Sequence, residues 1–222
     1  MIGIFGGTFD PVHYGHITPA LDVMRALSLD ELRFIPCSIP AHRDVPFATA
    51  EQRLEMLRAA IKGQDNCIVD ERELNRKGVS YMVDTLQSLR DEFKNKTLCL
   101  IIGMDAFLGL NRWSRWMSIF NYAHCIVTYR PGCELNIETL PADLKALVKQ
   151  RSIGLDNVEN DKDLLEQTDF NKTGGALVFM PVTQLDISAT DIRQRIKQNH
   201  SIDTLVPAEV NRLIQQQQLY TG

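Results

Sequence analysis

Residues 2–16 read Ile2-Gly3-Ile4-Phe5-Gly6-Gly7-Thr8-Phe9-Asp10-Pro11-Val12-His13-Tyr14-Gly15-His16. Ile2–Phe5 is a short apolar run of strand type, and a helical pattern opens at about His16 and continues to Leu27, with Pro19 tolerable only in a first turn. A glycine pair between a strand and a helix lets backbone N–H groups approach an anion, and the helix start adds the positive end of its dipole. The layout is that of a phosphate site, but it has neither G-x-x-x-x-G-K-S/T nor G-x-G-x-x-G; His13 and His16 stand where a P-loop would place a lysine. The plainer reading makes Gly6-Gly7 a tight turn and the two histidines ordinary loop and cap residues. A metal site would need more ligands, and no further His/Cys cluster completes one.

Further along the chain, short apolar runs alternate with helical patterns. Strands are expected at Leu32–Ile35, Cys67–Val69, Leu98–Ile102, Cys125–Tyr129 and Leu177–Met180. Several are continuous rather than alternating, as in parallel strands covered on both faces. Helices are expected over Ala50–Ile61, started by a Thr49/Gln52 capping box and burying Leu54, Leu57 and Ile61, and over Tyr81–Phe93, burying Met82, Leu86, Leu89 and Phe93. Two more follow at Thr190–Gln198 and Pro207–Gln218. This rhythm predicts an α/β fold: a doubly wound, Rossmann-like parallel sheet of about six strands with helices on both faces. Residues 1–222 read as one domain, with a polar excursion at about 133–175.

Composition narrows the class. With 222 residues, 44% hydrophobic and 23% charged, the chain can bury a core. Its net charge of −4 argues against a nucleic-acid binder, which normally carries a basic excess. No apolar stretch approaches the ~20 residues that span a bilayer. The N-terminus lacks a signal-peptide pattern. Cys37, Cys67, Cys99, Cys125 and Cys133 are odd in number and widely spaced, which fits reduced core thiols and a cytoplasmic setting. No residue pattern bears on oligomeric state.

Near the C-terminus, Ile187-Ser188-Ala189-Thr190-Asp191-Ile192-Arg193 precedes a helix whose buried side holds Ile192 and Ile196. A Ser188/Asp191 capping box accounts for those two residues but not for Arg193. A helix start beside an arginine is also a second anion cradle.

His13-Tyr14-Gly15-His16 closely resembles the H-x-G-H signature of the nucleotidyltransferase superfamily, and the C-terminal motif resembles its I-S-x-T-x-I-R element. The finer likeness is to bacterial nicotinate-mononucleotide adenylyltransferases. It extends over Ile39-Pro-Ala-His42-Arg43, Asp70-Glu71-Arg72-Glu73-Leu74, Ser80-Tyr81, Ile101-Ile-Gly103-Met-Asp105, Trp113 and Arg130-Pro131-Gly132. Two positions depart from that pattern: Met82 follows Ser80-Tyr81 where threonine is common, and Ala41 replaces a second proline.

The resemblance implies adenylyl transfer from ATP to nicotinate mononucleotide, with Mg²⁺ carried on the substrate phosphates. It implies that His13 and His16 donate to the α- and β-phosphates and that Ser188, Thr190 and Arg193 hold the outer phosphates. Gly6, Gly7, Thr8, Phe9, Gly15, Gly103 and Asp105 would complete the ATP side. On the mononucleotide side it implies His42, Arg43, Ser80, Tyr81, Val83, Trp113 and Arg130. Asp105 equally suits a helix N-cap, and His42-Arg43 a solvated loop. Asp70-Glu71-Arg72-Glu73 reads as a surface ion-pair cluster without chemistry, and His124 and His200 as structural. Another transferase of the superfamily, such as a pantetheine-phosphate adenylyltransferase, or a non-catalytic nucleotide sensor are the competing readings. The length, Trp113, and the intact His13, His16 and Arg193 count against them.

Overall fold

In the computed structural model, which describes residues 1–40, 45–130, 135–153, 168–170, 172–183 and 185–221, the chain builds a seven-stranded parallel sheet. The strands, in chain order, are β1 (Ile2–Gly7), β2 (Glu31–Pro36), β3 (Ile39–Pro40), β4 (Cys67–Val69), β5 (Val79–Ser80), β6 (Leu98–Gly103), β7 (His124–Tyr129), β8 (Ser152–Ile153) and β9 (Leu177–Pro181). The main sheet runs β4-β2-β1-β6-β7-β9-β8, and β3 and β5 pair separately. The helices are α1 (Tyr14–Ala26), α2 (Ala50–Ile61), α3 (Met82–Glu92), α4 (Met104–Leu108), α5 (Ile119–Tyr122), α6 (Ala142–Arg151), α7 (Ala189–Lys197) and α8 (Ala208–Gln216).

The continuous apolar strands are explained by cover on both faces. Cys99, Ile101, Ile126, Val178 and Met180 point into a core closed by α1, α2, α7 and α8. Their neighbours Leu98, Leu100, Ile102, Cys125, Val127, Leu177 and Phe179 point into the opposite core, closed by α3, α4, α5 and α6. Alternation of period two thus remains, but both faces are apolar, so it leaves no trace in the sequence.

All six expected strands are present. The seventh, β8, follows α6 inside the stretch read as polar and pairs with the outer edge of β9; two residues are too few to show a period. α1 opens at Tyr14, so Pro19 lies in its second turn, where it removes the i+4 amide partner of the Gly15 carbonyl. The Thr49/Gln52 capping box forms as expected. The buried face of α2, however, is Arg53, Met56, Leu57, Ala60 and Ile61, and Leu54 is only half-buried. In α3 the buried residues are Val83, Thr85, Leu86 and Leu89, with Met82 and Phe93 at the margin.

Among the described residues no helix is long and apolar enough to cross a membrane. Cys37, Cys67, Cys99 and Cys125 are free thiols, and burial pushes those of Cys99 and Cys125 up to about 12. Cys133 lies outside the described residues.

The chain builds the sheet outward from β1 through β2 to β4, then returns to the other side of β1 for β6, β7 and β9. The β1–β6 boundary is therefore the topological switch point, where open α/β sheets bind ligands. The register pairs Ile2 with Leu98, Gly3 with Cys99 and Ile4 with Leu100, and goes no further. Beyond it the strands part, leaving Gly6-Gly7 on one lip of a crevice and Gly103 on the other. β1 and β2 stay paired as far as Gly7 and Pro36.

Candidate active site

Gly6 and Gly7 are the last residues of β1, not a tight turn; the left-handed turn falls at Phe9, whose φ is 54°. The Phe9 ring is buried edge-on to His16 and tilted against Phe5 and Phe34, so it anchors the loop from beneath. Its edge lies 2.9 Å from where a Gly7 Cβ would sit. Over Gly6 the corresponding space is filled by the Met82 methyl, so the position that departs from threonine packs directly on the signature strand.

His13 is the N-cap residue of α1 and His16 lies in its first turn. Their rings stack with centroids 3.7 Å apart and planes 29° apart. Gly15 makes this arrangement possible, because a Cβ there would meet His13 Nδ1 at 2.9 Å and the Ile187 carbonyl at 3.1 Å. His13 is buried, with no hydrogen-bond partner at Nδ1. Burial lowers its pKa to about 4, which favours the neutral ring with its single N–H over the imidazolium.

The C-terminal motif docks onto this loop. Ser188 caps α7 by accepting from the Asp191 amide at 3.0 Å; the Asp191 carboxylate pairs with Arg195. Arg193 donates to the Asp10 carbonyl at 2.6 Å and to Thr190 Oγ1 at 3.1 Å. Both hydroxyl oxygens are therefore used as acceptors, and each hydroxyl keeps a proton to donate. Ser188 and Thr190 are exposed, and Arg193 is half-buried.

Three residues that the sequence did not single out hold this loop. Asp10 is buried, and its carboxylate accepts from Phe47 N at 2.7 Å, Ala48 N at 3.1 Å and the Tyr220 hydroxyl at 2.8 Å. Burial and the Asp10 carboxylate raise the Tyr220 phenol above its ordinary range, so it remains a donor. Arg53, 1% exposed, donates to the carbonyls of Thr8 and Cys37 at 2.8 Å each and of Ser38 at 3.3 Å. It ties the ends of β1 and β2 together.

Of the residues expected on the mononucleotide side, Ser80, Tyr81 and Val83 lie in β5 and at the start of α3. β3 and β5 pair Ile39 with Val79 and Pro40 with Ser80, and Ser80 Oγ accepts from Ser38 N at 3.0 Å. Val83 is buried, so only its backbone amide can face a ligand. Tyr81, Met82, Trp113 and Tyr129 rim the same core cluster, and the Trp113 ring is half-exposed, as its polar flanks suggested. Gly103, not Asp105, is the N-cap of α4; Asp105 is exposed in the first turn. A Cβ on Gly103 would meet nothing within 4 Å, as expected beside an open crevice. Arg130 is exposed just past β7. His42 and Arg43 lie outside the described residues.

The 70–73 cluster is not a surface feature. Asp70 and Glu73 are buried. Burial alone would raise the Asp70 carboxyl, but Arg72 and Arg33 outweigh it and hold it low. Burial raises the Glu73 carboxyl, which accepts from Thr85 Oγ1 at 2.6 Å. His124 is structural as expected: Nδ1 accepts from Ala176 N, leaving Nε2 to donate to the Lys172 carbonyl.

Comparison with known proteins agrees with this fold. Residues 4–195 match the family model described as cytidylyltransferase-like. A Methylococcus capsulatus protein named "Probable nicotinate-nucleotide adenylyltransferase" is 45% identical over 221 residues, 99% of each chain. A Halorhodospira halophila protein of the same name is 44% identical over 213 residues, covering 96% of this chain and 92% of the other. The fold is shared with Plasmodium falciparum nicotinic acid mononucleotide adenylyltransferase complexed with NaAD (TM-score 0.68, 15% identity, 99% and 96% coverage). The chain belongs to the cytidylyltransferase-like family and, within it, to the nicotinate-nucleotide adenylyltransferases.

Proposed function

We infer that the protein transfers the adenylyl group of ATP to nicotinate mononucleotide, giving nicotinate adenine dinucleotide and pyrophosphate, a step of NAD synthesis. The observation that carries the reading is the stacked His13–His16 pair at the mouth of the β1–β6 crevice, joined to Arg193 through Asp10. A 5′-phosphate oxygen of the mononucleotide attacks the α-phosphorus of ATP in line, and pyrophosphate departs. An ionised phosphate is already nucleophilic, so positioning and charge stabilisation suffice. His13 and His16 donate to oxygens on which charge develops. Arg193, Ser188 and Thr190 hold the outer phosphates.

Magnesium enters with ATP. The signature loop and the C-terminal motif supply imidazoles, hydroxyls and a guanidinium, the Asp105 carboxylate stands exposed beyond Gly103, and the Asp10 carboxylate is already occupied by three donors. Such a donor set suits a metal bound through substrate phosphates and water. Gly6, Gly7, Thr8, Phe9 and Gly15 shape the phosphate loop, with Gly103 and Asp105 on the ribose side. The pyridine ring stacks on Trp113, and its carboxylate meets the first-turn amides of α3 beside Ser80, Tyr81 and Val83; His42, Arg43 and Arg130 serve the mononucleotide phosphate. We read this as a cytoplasmic enzyme acting on small molecules.

The test is pyrophosphate release with ATP and a panel of mononucleotides and phosphopantetheine. Sites built on donor–acceptor matching discriminate by ~10⁴ or more, and the acid is expected to exceed its amide by at least about 10² in kcat/KM. Turnover of phosphopantetheine alone, or no release with any substrate, would sink the reading.

A further inference from the structure

We propose that Phe47 is a positioning residue for ATP: its exposed ring holds the Arg193 guanidinium in the orientation that presents its remaining donors to the triphosphate. The proposal rests on the reading of Arg193 as a phosphate ligand.

Phe47 is 66% exposed, so core packing does not explain where its ring lies. The Arg193 guanidinium carbon sits 4.7 Å from the ring centroid, and the Lys197 ammonium, one turn on, lies 5.9 Å from it. Neither partner is placed by chance. The Phe47 amide donates to the Asp10 carboxylate, and the Arg193 guanidinium donates to the Asp10 carbonyl. Ring and cation are thus fixed to one buried residue, one at each of its polar ends.

A guanidinium is a planar fork with five donors. Asp10 O and Thr190 Oγ1 take two of them, from different terminal nitrogens. The Phe47 ring, 4.7 Å from the guanidinium carbon, restrains the group without taking any of its remaining N–H donors. Without the ring, two hydrogen bonds still tether the group, but rotation about the long side chain is less restrained. A hydrocarbon face also holds the cation without neutralising it, as a carboxylate partner would.

The experiment varies ATP and nicotinate mononucleotide independently and adds equilibrium ATP titration. Phe47→Leu is expected to weaken ATP, in KM and Kd, by about three- to thirty-fold, the range that a partly desolvated cation–π contact spans. The KM for mononucleotide should stay within about twofold, since uniform loss is not expected from a one-substrate contact. Phe47→Tyr and Phe47→Trp should restore wild-type behaviour, and the thermal midpoint should barely move. Adding Phe47→Leu to Arg193→Ala should change nothing more. Aromatic variants as impaired as Phe47→Leu, equal effects on both substrates, or a full Phe47→Leu effect without Arg193 would each overturn the proposal. If Arg193→Ala alone leaves ATP binding unchanged, the underlying reading fails. If Arg193→Ala weakens ATP while Phe47→Leu does not, only the role of Phe47 is lost.

Discussion

The Arg193 guanidinium and the Asp10 carbonyl meet at 2.6 Å across 183 positions of sequence. Asp10 belongs to the loop leading to His13, so the histidine loop and the C-terminal motif are one mechanical unit. Arg193→Ala removes a charge-assisted donor and is expected to raise KM for ATP about ten- to hundredfold, with much less effect on the mononucleotide. Arg193→Lys should recover little, because an ammonium cannot serve carbonyl, hydroxyl and phosphate in one plane. Initial rates with each substrate varied in turn decide the matter.

His16→Ala should lower kcat by ~10²–10³, the usual result of removing one donor aimed at transition-state charge. A variant that keeps more than about a tenth of wild-type kcat would deny His16 that role.

His13 links the site to acid stability. Its folded pKa of about 4 lies below the ordinary 6.5, so between those values the unfolded chain binds the extra proton. Stability is therefore full above pH 6.5 and falls as pH drops toward 4, by up to about 3 kcal/mol from this residue. Urea unfolding at several pH values should show this slope in the wild type and a shallower one in His13→Asn.

Arg53→Met should destabilise the fold by about 3 kcal/mol, because three carbonyls at the β1 and β2 ends lose their common donor while the helix keeps its volume. Chemical denaturation measures this directly. An unchanged midpoint would mean that the carbonyls find other partners.

What could be read from the sequence follows the range over which the physics acts. Apolar runs such as Leu98–Ile102 announced their strands because the sheet is covered on both faces. The Thr49/Gln52 cap depends on residues three apart and was equally plain. β8 was hidden by its length and its polar setting. Arg53 was hidden because a charge on a helix ordinarily faces water; here it is buried to serve carbonyls from other elements. Glu73 was misread for the same reason. The motifs placed His13, His16 and Arg193 on the same site, but motifs carry no burial, so the neutrality of His13 was invisible. Nothing local to Gly6-Gly7 revealed that the turn belongs to Phe9. Asp10 looked like part of a motif, whereas its partners at residues 47, 48, 193 and 220 could come only from the tertiary fold.

The bond from Tyr220 to Asp10 spans 210 positions. The carboxylate beside the histidine loop and a hydroxyl from a distant part of the chain thus close on each other. Replacing Tyr220 by phenylalanine keeps both histidines and Arg193 but leaves one Asp10 oxygen without that donor. Placement of the loop that carries both histidines therefore depends on a residue that belongs to neither motif. A change at Tyr220, far from both motifs in sequence, thus acts directly on the loop between them.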